Sequence, residues 1–458
     1  MCQGVNGECA EMRSNGKREG KTCEKKNSCA MRGGKAAERN AELMCVDLSA
    51  ERLASRSGRV AAAEEVTRAC REVGFFYAIG RREESELCEE LIARSRDFFA
   101  LPATEKEKLR MSSRTSSSAA HSGETGTRRG SAGSKSVSRI VPRGYFGIGE
   151  EKLVDAKEND DTVSRDSGDL KEGLDMGASP VPTPIEEDTR WPTEVASGTS
   201  RKSAADFRRV AEEYSRLMLA FATSLMEVFG IAANAPSEDF FVENSRTPVA
   251  TLRVLHYPGT RAHMANKGGE GQEAMGLETK NGSSTKTHDL DATIGPDLAC
   301  GAHSDYGLCT ILADGGVPGL QVLRPGSGDQ WVNVHPIEGA FIINTGAMMH
   351  RLTGGHFQNT IHRVVHAPGV ANRISVPFFF NPSPSAVIEP MSQQHLLQQD
   401  VHSSNAKETC ADIISRRYVQ SGLAVSSFSA SSPLQSSSSS SSPRAKDTPT
   451  NHEYKAIV

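Results

Sequence analysis

The chain has 458 residues, of which 37% are hydrophobic and 5% aromatic, and its formal net charge is −4 at pH 7. The near balance of 53 basic and 57 acidic residues gives no reason to expect nucleic acid or an anionic membrane surface as a partner. No stretch approaches about 18 consecutive apolar residues, so the sequence predicts no membrane-spanning helix.

Residues 1–43 are polar, glycine-rich and of mixed charge, and we expect them to form a disordered tail. This region lacks the apolar segment of a secretory signal, and its glutamates argue against an organelle transit peptide. None of the ten cysteines forms a C-x-x-C pair, which disfavours a zinc ribbon or a thioredoxin-like motif. We therefore expect free thiols and a cytoplasmic protein.

The next region, residues 44–245, is predicted to be mainly helical. A short strand at 45–48 is followed by a helix at 58–73, which ends at Gly74, and by a strand at 75–79. Helical spacing returns at 83–99 and in a long amphipathic segment at about 202–229. The serine- and glycine-rich stretch at 112–139 is predicted to be a flexible insertion.

The pattern changes to short apolar β-type runs within residues 246–395. Gly, Pro and Asn separate these runs, as expected of the turns in an antiparallel sandwich or barrel. The runs are "VATLRVLHY", "LCTILA", "GLQVL", "WVNV", "AFIIN", "IHRVVH" and "RISVPFFF". We interpret 260–298 as a loop insertion over the surface or over a pocket, and 396–458 as mostly Ser-rich and disordered. Helices first and short strands after indicate an α+β fold with a mainly β core.

The stretch "GAHSDYGLCTIL" contains a candidate pair of metal ligands, His303 and Asp305. Residues two apart on a strand project to the same face, so both side chains could approach one ion. A third ligand could come from a group of downstream histidines: His335, His350, His356, His362 and His366. The β-branched run "TIHRVVH" favours His362 by local reasoning but does not exclude the others. His362 and His366 cannot share one ion, because four strand residues span about 13 Å.

A second pair of residues two apart, Arg373 and Ser375, follows in "ANRISVPFFF". An arginine presents a planar fork of donors that suits a carboxylate, and a serine adds a hydroxyl donor. Tyr257 in "LRVLHYP" is a further donor candidate. A metal-chelating organic acid would satisfy both the metal and the arginine.

Taken in order, these stretches resemble the iron(II)- and 2-oxoglutarate-dependent dioxygenases of the isopenicillin N synthase-like group. The β-rich part of the resemblance rests on "HSDYGLCTIL", "GLQVL", "WVNVHPIEGAFIINTG", "TGGHFQNTIHRVV" and "RISVPFFFNPS". The earlier part rests on "VDLS", "ACREVGFFYAI", "FFALPATEKEKL", "RGYFGIGEE" and "LKEGLDMG". It covers residues 44–395 apart from the insertions.

The resemblance implies a double-stranded β-helix, or jelly roll, that holds Fe(II) through His303, Asp305 and His362. It further implies that 2-oxoglutarate chelates the iron while Arg373 and Ser375 bind its far carboxylate and Tyr257 contacts it, and that O2 occupies the last position. The implied reaction hydroxylates or desaturates a small organic substrate and releases succinate and carbon dioxide. It implies no catalytic residue beyond the metal ligands, and we expect a monomer that binds neither nucleic acid nor membrane.

This chain departs from the family pattern at three places. Gly80, Arg81 and Arg82 replace the Asn-His-Gly that usually follows the "GFFY" motif, and Ala347 replaces an aspartate after "NTG". Leu255 replaces an asparagine that plant members often carry. The first two bear on the substrate-side loops and local packing, and the third weakens a close match to plant flavonoid or hormone oxygenases.

Three alternatives remain open at the level of sequence. Isopenicillin N synthase and the aminocyclopropane-carboxylate oxidases share these motifs but direct the Arg–Ser pair to the carboxylate of a substrate or another acid. A catalytically silent jelly roll that binds a ligand or partner protein is a second alternative. The ligand set alone would also accept zinc or manganese, and the substrate is not specified.

Overall fold

The computed structural model describes residues 43–111, 141–153, 168–181, 183–192, 201–259, 298–328, 330–366, 372–392 and 407–423. These residues belong to one compact unit that begins at Ala41. The predicted insertion at 112–139 lies outside them. The tail 1–43 and the insertion 260–298 also lie outside them, except for the last residue of each.

Eight helices are assigned in the described residues. In chain order they are α1 (Ala50–Leu53), α2 (Arg56–Glu72), α3 (Arg82–Phe99), α4 (Ala103–Glu107), α5 (Arg201–Ala232), α6 (Phe240–Asn244), α7 (Ala347–Leu352) and α8 (Cys410–Gln420). The longest, α5, packs against α2 and α3. Gly74 follows α2 with a φ of 77°, a left-handed conformation that lets the chain turn directly into the next strand.

Part of α5, Ala205–Ala232, is long and apolar enough to cross a membrane by length and composition alone. Its apolar face is nevertheless buried within the domain, because Tyr214, Phe221 and Phe229 are fully enclosed. Its other face carries exposed ion pairs one turn apart, such as Arg208 with Glu212 at 2.8 Å. This pattern is typical of the core helix of a globular domain.

Twelve strands are assigned in the described residues. They are β1 (Cys45–Asp47), β2 (Phe75–Ile79), β3 (Gly144–Phe146), β4 (Glu172–Gly177), β5 (Val249–Pro258), β6 (Leu298–His303), β7 (Cys309–Ala313), β8 (Leu320–Leu323), β9 (Trp331–Asn333), β10 (Phe341–Thr345), β11 (His362–Val365) and β12 (Asn372–Asn381). A large sheet has the order β1-β2-β10-β7-β12-β5-β4-β3, and a small sheet has the order β6-β11-β8-β9. Among these strands, only β1 and β2 pair in parallel.

From β5 onward the chain alternates between the two sheets. It passes from β5 in the large sheet to β6 in the small one, back to β7 in the large sheet, and then to β8 and β9 in the small one. β10 returns to the large sheet, β11 lies in the small sheet and β12 lies in the large sheet. This winding is that of a double-stranded β-helix, in agreement with the predicted α+β fold with a mainly β core. Both sheets therefore contribute walls to the space between them.

Most predicted elements are present within a few residues of their expected bounds, and the departures have physical causes. β6 is absent from the predicted set because "LACGAH" is built of small residues. β4 is absent because its buried side chains include charged ones, which pair with β5: Asp175 bonds to its cross-strand partner Arg253, and Glu172 bonds to His256 at 2.8 Å.

The segment 396–458, predicted to be mostly Ser-rich and disordered, contains one helix within its described residues 407–423. α8 forms within it, and Ile413, Ile414 and Tyr418 are buried at helical spacing. Its first turn is closed by a capping box, in which Thr409 accepts a hydrogen bond from the amide of Asp412 and Asp412 accepts one from the amide of Thr409. The sequence did not predict this helix, because its amphipathic pattern is short and lies beside a long serine-rich tract.

Candidate metal and co-substrate site

His303 and His362 face each other as direct cross-strand partners at the ends of β6 and β11. Their ring centroids are 4.4 Å apart. Nδ1 of His303 lies 2.8 Å from the carbonyl of Gly301, and Nδ1 of His362 lies 3.1 Å from the carbonyl of Thr360. A carbonyl only accepts, so in the neutral form of each ring Nδ1 carries the proton and Nε2 keeps its lone pair.

Asp305 supplies the carboxylate between these two rings. Its Oδ1 lies 3.9 Å from Nε2 of His303 and 3.8 Å from Nε2 of His362. Its Oδ2 accepts hydrogen bonds from Thr310 and, at 2.8 Å, from Asn344. One carboxylate oxygen is thus held by the protein, and the other is directed toward the imidazoles.

Asp305 is not on a strand, since β6 ends at His303. The side chains converge because the loop after β6 is tied by its backbone to the start of α7: the amide of Ala347 donates to the carbonyl of Asp305 at 2.8 Å. Gly346 permits this contact, because a Cβ there would lie 2.5 Å from the carbonyl oxygen of Gly307. Ala347, one of the departures from the family pattern, therefore still supports the loop through its main chain.

The three residues His303, Asp305 and His362 form a compact donor set. Their ligand atoms all lie within 4.8 Å of one another. Burial alone would raise the pKa of Asp305, but the nearby His362 and His303 and the hydrogen bonds from Asn344 and Thr310 outweigh it and lower that pKa. The carboxylate is therefore ionised at neutral pH, as a metal ligand must be.

The other candidate histidines are placed differently. Nδ1 of His350 bonds to the carbonyl of Phe357 at 2.6 Å, and Nδ1 of His356 bonds to the carbonyl of Thr353 at 2.7 Å. Within the described ranges, neither of these nor His335 or His366 joins a cluster able to hold a metal.

Arg373 and Ser375 lie on β12, and both face the cavity that contains the donor set. Arg373 pairs across strands with Tyr257, whose ring lies 5.0 Å beneath the guanidinium carbon. Burial raises the pKa of Tyr257 to about 12, against the effect of Arg373 and a hydrogen bond with Ser375, so it is a neutral phenol. Nε of Arg373 donates to the carbonyl of Val317 at 3.2 Å, but its buried Nη1 has no hydrogen-bond partner in the described structure.

The cavity has a volume of about 520 Å³ and opens between the two sheets. This size is typical of small-molecule sites. Next to the donor set its wall carries Lys171, whose Nζ lies 3.0 Å from Glu151 and bonds to Asp169 and, at 3.2 Å, to the thiol of Cys300. Burial would raise the pKa of Glu151, but Arg253 and Lys171 lower it to about 2.

Sequence reasoning did not identify several residues of this site. Thr310 and Asn344 hold Asp305 by hydrogen bonds. The sequence feature that could have indicated Asn344 is a polar residue within the otherwise apolar strand "FIINT". Lys171 and Arg253 were quoted only within motifs, and no local pattern marks them as cavity residues. α8 also lines the cavity through Arg416, Arg417 and Tyr418, which lie in the segment predicted to be mostly Ser-rich and disordered.

The departure at 80–82 lies away from the cavity. Arg81 is buried, pairs with Glu84 and packs its guanidinium 4.3 Å above the ring of Phe221 in α5. Leu255, in contrast, lines the cavity near Tyr257. The first departure therefore concerns core packing, whereas the Leu255 departure concerns the site itself.

The donor set fits Fe(II) and a chelating acid. Two neutral imidazoles and one carboxylate on one side of an ion leave positions open, as in mononuclear non-haem iron sites. The unpartnered Nη1 of Arg373 in the same cavity supplies a charged donor for a carboxylate. Such a fold and site define an oxygenase of the non-haem iron class.

Comparison with known proteins supports this class. The family model of the 2OG-Fe(II) oxygenase superfamily matches residues 281–382, and that of the non-haem dioxygenase in morphine synthesis N-terminal region matches residues 43–140. In these two regions the chain is therefore similar to the 2-oxoglutarate and Fe(II) oxygenases, and the isopenicillin N synthase-like group is consistent with both matches.

Similar proteins have names in keeping with this family. A 2-oxoglutarate-Fe(II) type oxidoreductase of Aspergillus fumigatus is 28% identical over 72% of this chain and 79% of that protein. A 1-aminocyclopropane-1-carboxylate oxidase of Dictyostelium mucoroides is 26% identical over 71% of this chain and 78% of that protein. The fold resembles that of a full-length Neurospora crassa protein crystallised with alpha-KG and thymine, with a TM-score of 0.58 and 19% identity over 84% of this chain and 98% of that one.

Proposed function

We propose that the protein is an Fe(II)- and 2-oxoglutarate-dependent dioxygenase that hydroxylates or desaturates a small organic molecule. The observation that carries this proposal is the presence of the donor set and the unpartnered Nη1 of Arg373 in one cavity. When bound, iron and 2-oxoglutarate supply the activation of O2, with release of succinate and carbon dioxide.

His303, Asp305 and His362 would hold the iron through Nε2, Oδ1 and Nε2. The carbonyls that fix each Nδ1–H keep the imidazoles in the tautomer and orientation that binding needs. Thr310 and Asn344 occupy Oδ2 of Asp305 and so favour binding through Oδ1 alone.

Arg373, Ser375 and Tyr257 would bind the far carboxylate of 2-oxoglutarate. Arg373 is held by its Nε–H and by the ring of Tyr257, so little side-chain freedom is lost when Nη1 gains its acceptor. The rest of the chain positions the substrate and keeps water from the reacting atoms, a task for the aromatic side chains of Phe75, Phe379 and Tyr418 that line the cavity.

The experiment is an anaerobic titration of the purified protein with Fe(II) and then 2-oxoglutarate, followed by the weak visible charge-transfer band of the chelate. Admission of O2 should then convert 2-oxoglutarate to succinate in proportion to substrate consumed. Absence of both iron uptake and the band would reject the proposal and favour a catalytically silent jelly roll.

A second candidate keeps the iron but does not use 2-oxoglutarate. It is favoured by the similarity to an aminocyclopropane-carboxylate oxidase and by the fact that Arg373 and Ser375 suit any carboxylate. Oxygen consumption without succinate release would support this candidate against the first.

We further propose that the enzyme is a cytoplasmic monomer. All six cysteines of the described residues are free thiols, which a reducing compartment maintains. Cell fractionation and light scattering of the purified chain test the two parts of this proposal separately.

A further inference from the structure

α8 forms the mouth of the cavity and is anchored beside the metal motif. Tyr418 is buried and packs against Tyr306, with ring centroids 6.4 Å apart. Tyr306 directly follows Asp305. The position of the helix is therefore coupled to the loop that carries the candidate iron ligand.

A backbone hydrogen bond also joins the C-terminal end of α8 to the segment that contains Lys152. The amide of Lys152 donates to the carbonyl of Ser421 at 3.1 Å, and both residues line the cavity. The side chains that α8 presents are therefore a fixed part of the wall, and Arg416 and Arg417 are among them.

Three cations of the cavity wall have carboxylate partners among the described residues. Arg253 bonds to Asp175 and to Glu151 at 2.7 and 2.8 Å, Lys171 pairs with Glu151 and Asp169, and Arg416 pairs with Glu408 at 2.6 Å. Arg417 differs, because no carboxylate of the described residues lies within ion-pair distance of its guanidinium. It is only partly exposed, and it lines the mouth.

We propose that the substrate is an organic carboxylate whose acid group binds Arg417 at the mouth of the cavity, while its carbon skeleton extends toward the donor set. This inference rests on the proposed function, in which Arg373 is occupied by 2-oxoglutarate. Arg417 is then the remaining lining arginine without a carboxylate among the described residues, and its planar fork suits a second one.

The charge and surface of the wall agree with this substrate class. Apart from Asp305, Glu151 is the one carboxylate that lines the cavity within the described ranges, and Lys171 and Arg253 neutralise it. A substrate carboxylate that binds Arg417 is therefore not repelled by an unpaired carboxylate of the described cavity wall. Leu312 and Phe379 also line the cavity and offer apolar surface to a carbon skeleton.

The test uses the full chain loaded anaerobically with Fe(II) and saturating 2-oxoglutarate, which keeps other acids from the Arg373 site. Calorimetry measures the binding of hexanoate, phenylacetate and 3-phenylpropanoate, each beside its neutral primary amide, together with inorganic phosphate. The variants are Arg417→Gln, its neighbour Arg416→Gln, and Arg246→Gln as a control on an exposed arginine that pairs with Glu243.

At least one acid should bind about tenfold more tightly than its amide, and Arg417→Gln should remove that preference while leaving amide affinity unchanged. Arg416→Gln should have a smaller effect, because Glu408 already balances Arg416, and Arg246→Gln should have none. Equal binding of every acid and its amide, retention of the preference in Arg417→Gln, or phosphate binding as tight as that of the acids would overturn the proposal. Formation of the charge-transfer band in the same sample shows that such a failure leaves the proposed dioxygenase function intact.

Discussion

Asp169 accepts a hydrogen bond from the amide of Gly301 at 2.9 Å, and the carbonyl of the same glycine accepts one from Nδ1 of His303 at 2.8 Å. One peptide segment thus connects the buried carboxylate of Asp169 to a candidate iron ligand. Lys171 holds the other oxygen of Asp169. The orientation of the His303 ring therefore depends on a residue far away in sequence.

We expect Asp169→Asn to weaken Fe(II) binding by about tenfold, at the lower end of the effect of residues that orient metal ligands. The substituted amide would present a donor toward Lys171 and release the Gly301 segment. Titration with Fe(II) under anaerobic conditions measures this. Asp97→Asn, on the exposed face of α3, provides the matched control, and equal affinities for the two variants would contradict the role of Asp169.

His362→Ala should lower the affinity for Fe(II) by more than about 100-fold, because loss of a ligand exceeds loss of an outer partner. His350→Ala should keep wild-type affinity, since Nδ1 of His350 bonds to the carbonyl of Phe357 and its ring is outside the donor set. Metal content after dialysis distinguishes the two variants. Iron loss from His350→Ala instead would show that the ligand set is misassigned.

Arg373→Gln should raise the dissociation constant for 2-oxoglutarate by about 10- to 100-fold, the cost of losing a charge-assisted hydrogen bond. The charge-transfer titration reports it, and iron affinity should stay unchanged. Arg363→Gln is the control, because Arg363 on β11 stacks 3.9 Å over the ring of Trp331 and does not line the cavity. Undiminished 2-oxoglutarate binding in Arg373→Gln would show that Arg373 does not bind the far carboxylate.

Glu172→Gln should destabilise the fold by about 3 kcal/mol at pH 7, because it leaves the buried Lys106 without its carboxylate. Burial would raise the pKa of Glu172, but hydrogen bonds from His256, Lys106 and Tyr145 lower it below 4.5. Its ionised form therefore stabilises the fold fully above that value, and this contribution is lost as the pH falls toward the folded pKa.

Urea unfolding between pH 7 and pH 4 measures both effects. The stability of wild-type protein should decrease more steeply at the acid end than that of Glu172→Gln. Glu107→Gln, which removes an exposed partner of Arg110, should cost about 0.5 kcal/mol or less. Identical acid slopes for wild-type and Glu172→Gln would mean that other carboxylates determine the pH dependence.

The sequence was sufficient for the parts of the fold that repeat a regular pattern. Strands such as β5 and β12 and the helix α5 follow from spacing alone, and the family resemblance implied the double-stranded β-helix. The sequence did not predict β6, which consists mostly of small residues, or β4, which includes charged residues. Tertiary contacts bury both strands, and these contacts leave no local pattern in the sequence.

The candidate site likewise contains residues that the sequence identified and residues that only the tertiary structure reveals. His303, Asp305 and His362 were identified together, but alternation along a strand was the wrong reason for the first two, since Asp305 lies in a loop held by α7. Thr310, Asn344 and Asp169 act through tertiary hydrogen bonds, which have no fixed spacing in sequence. Arg417 depends on where α8 docks, and no local pattern reports that.

The place of α8 in the chain affects how the enzyme is made. During synthesis, the residues of the donor set and Arg373 leave the ribosome before Cys410–Gln420 does. The iron site can therefore assemble on a nascent chain whose cavity still lacks one wall. A message truncated just before codon 407 would yield a protein able to take up metal and co-substrate but poorly shielded from solvent, with a risk of oxidising itself instead of a substrate.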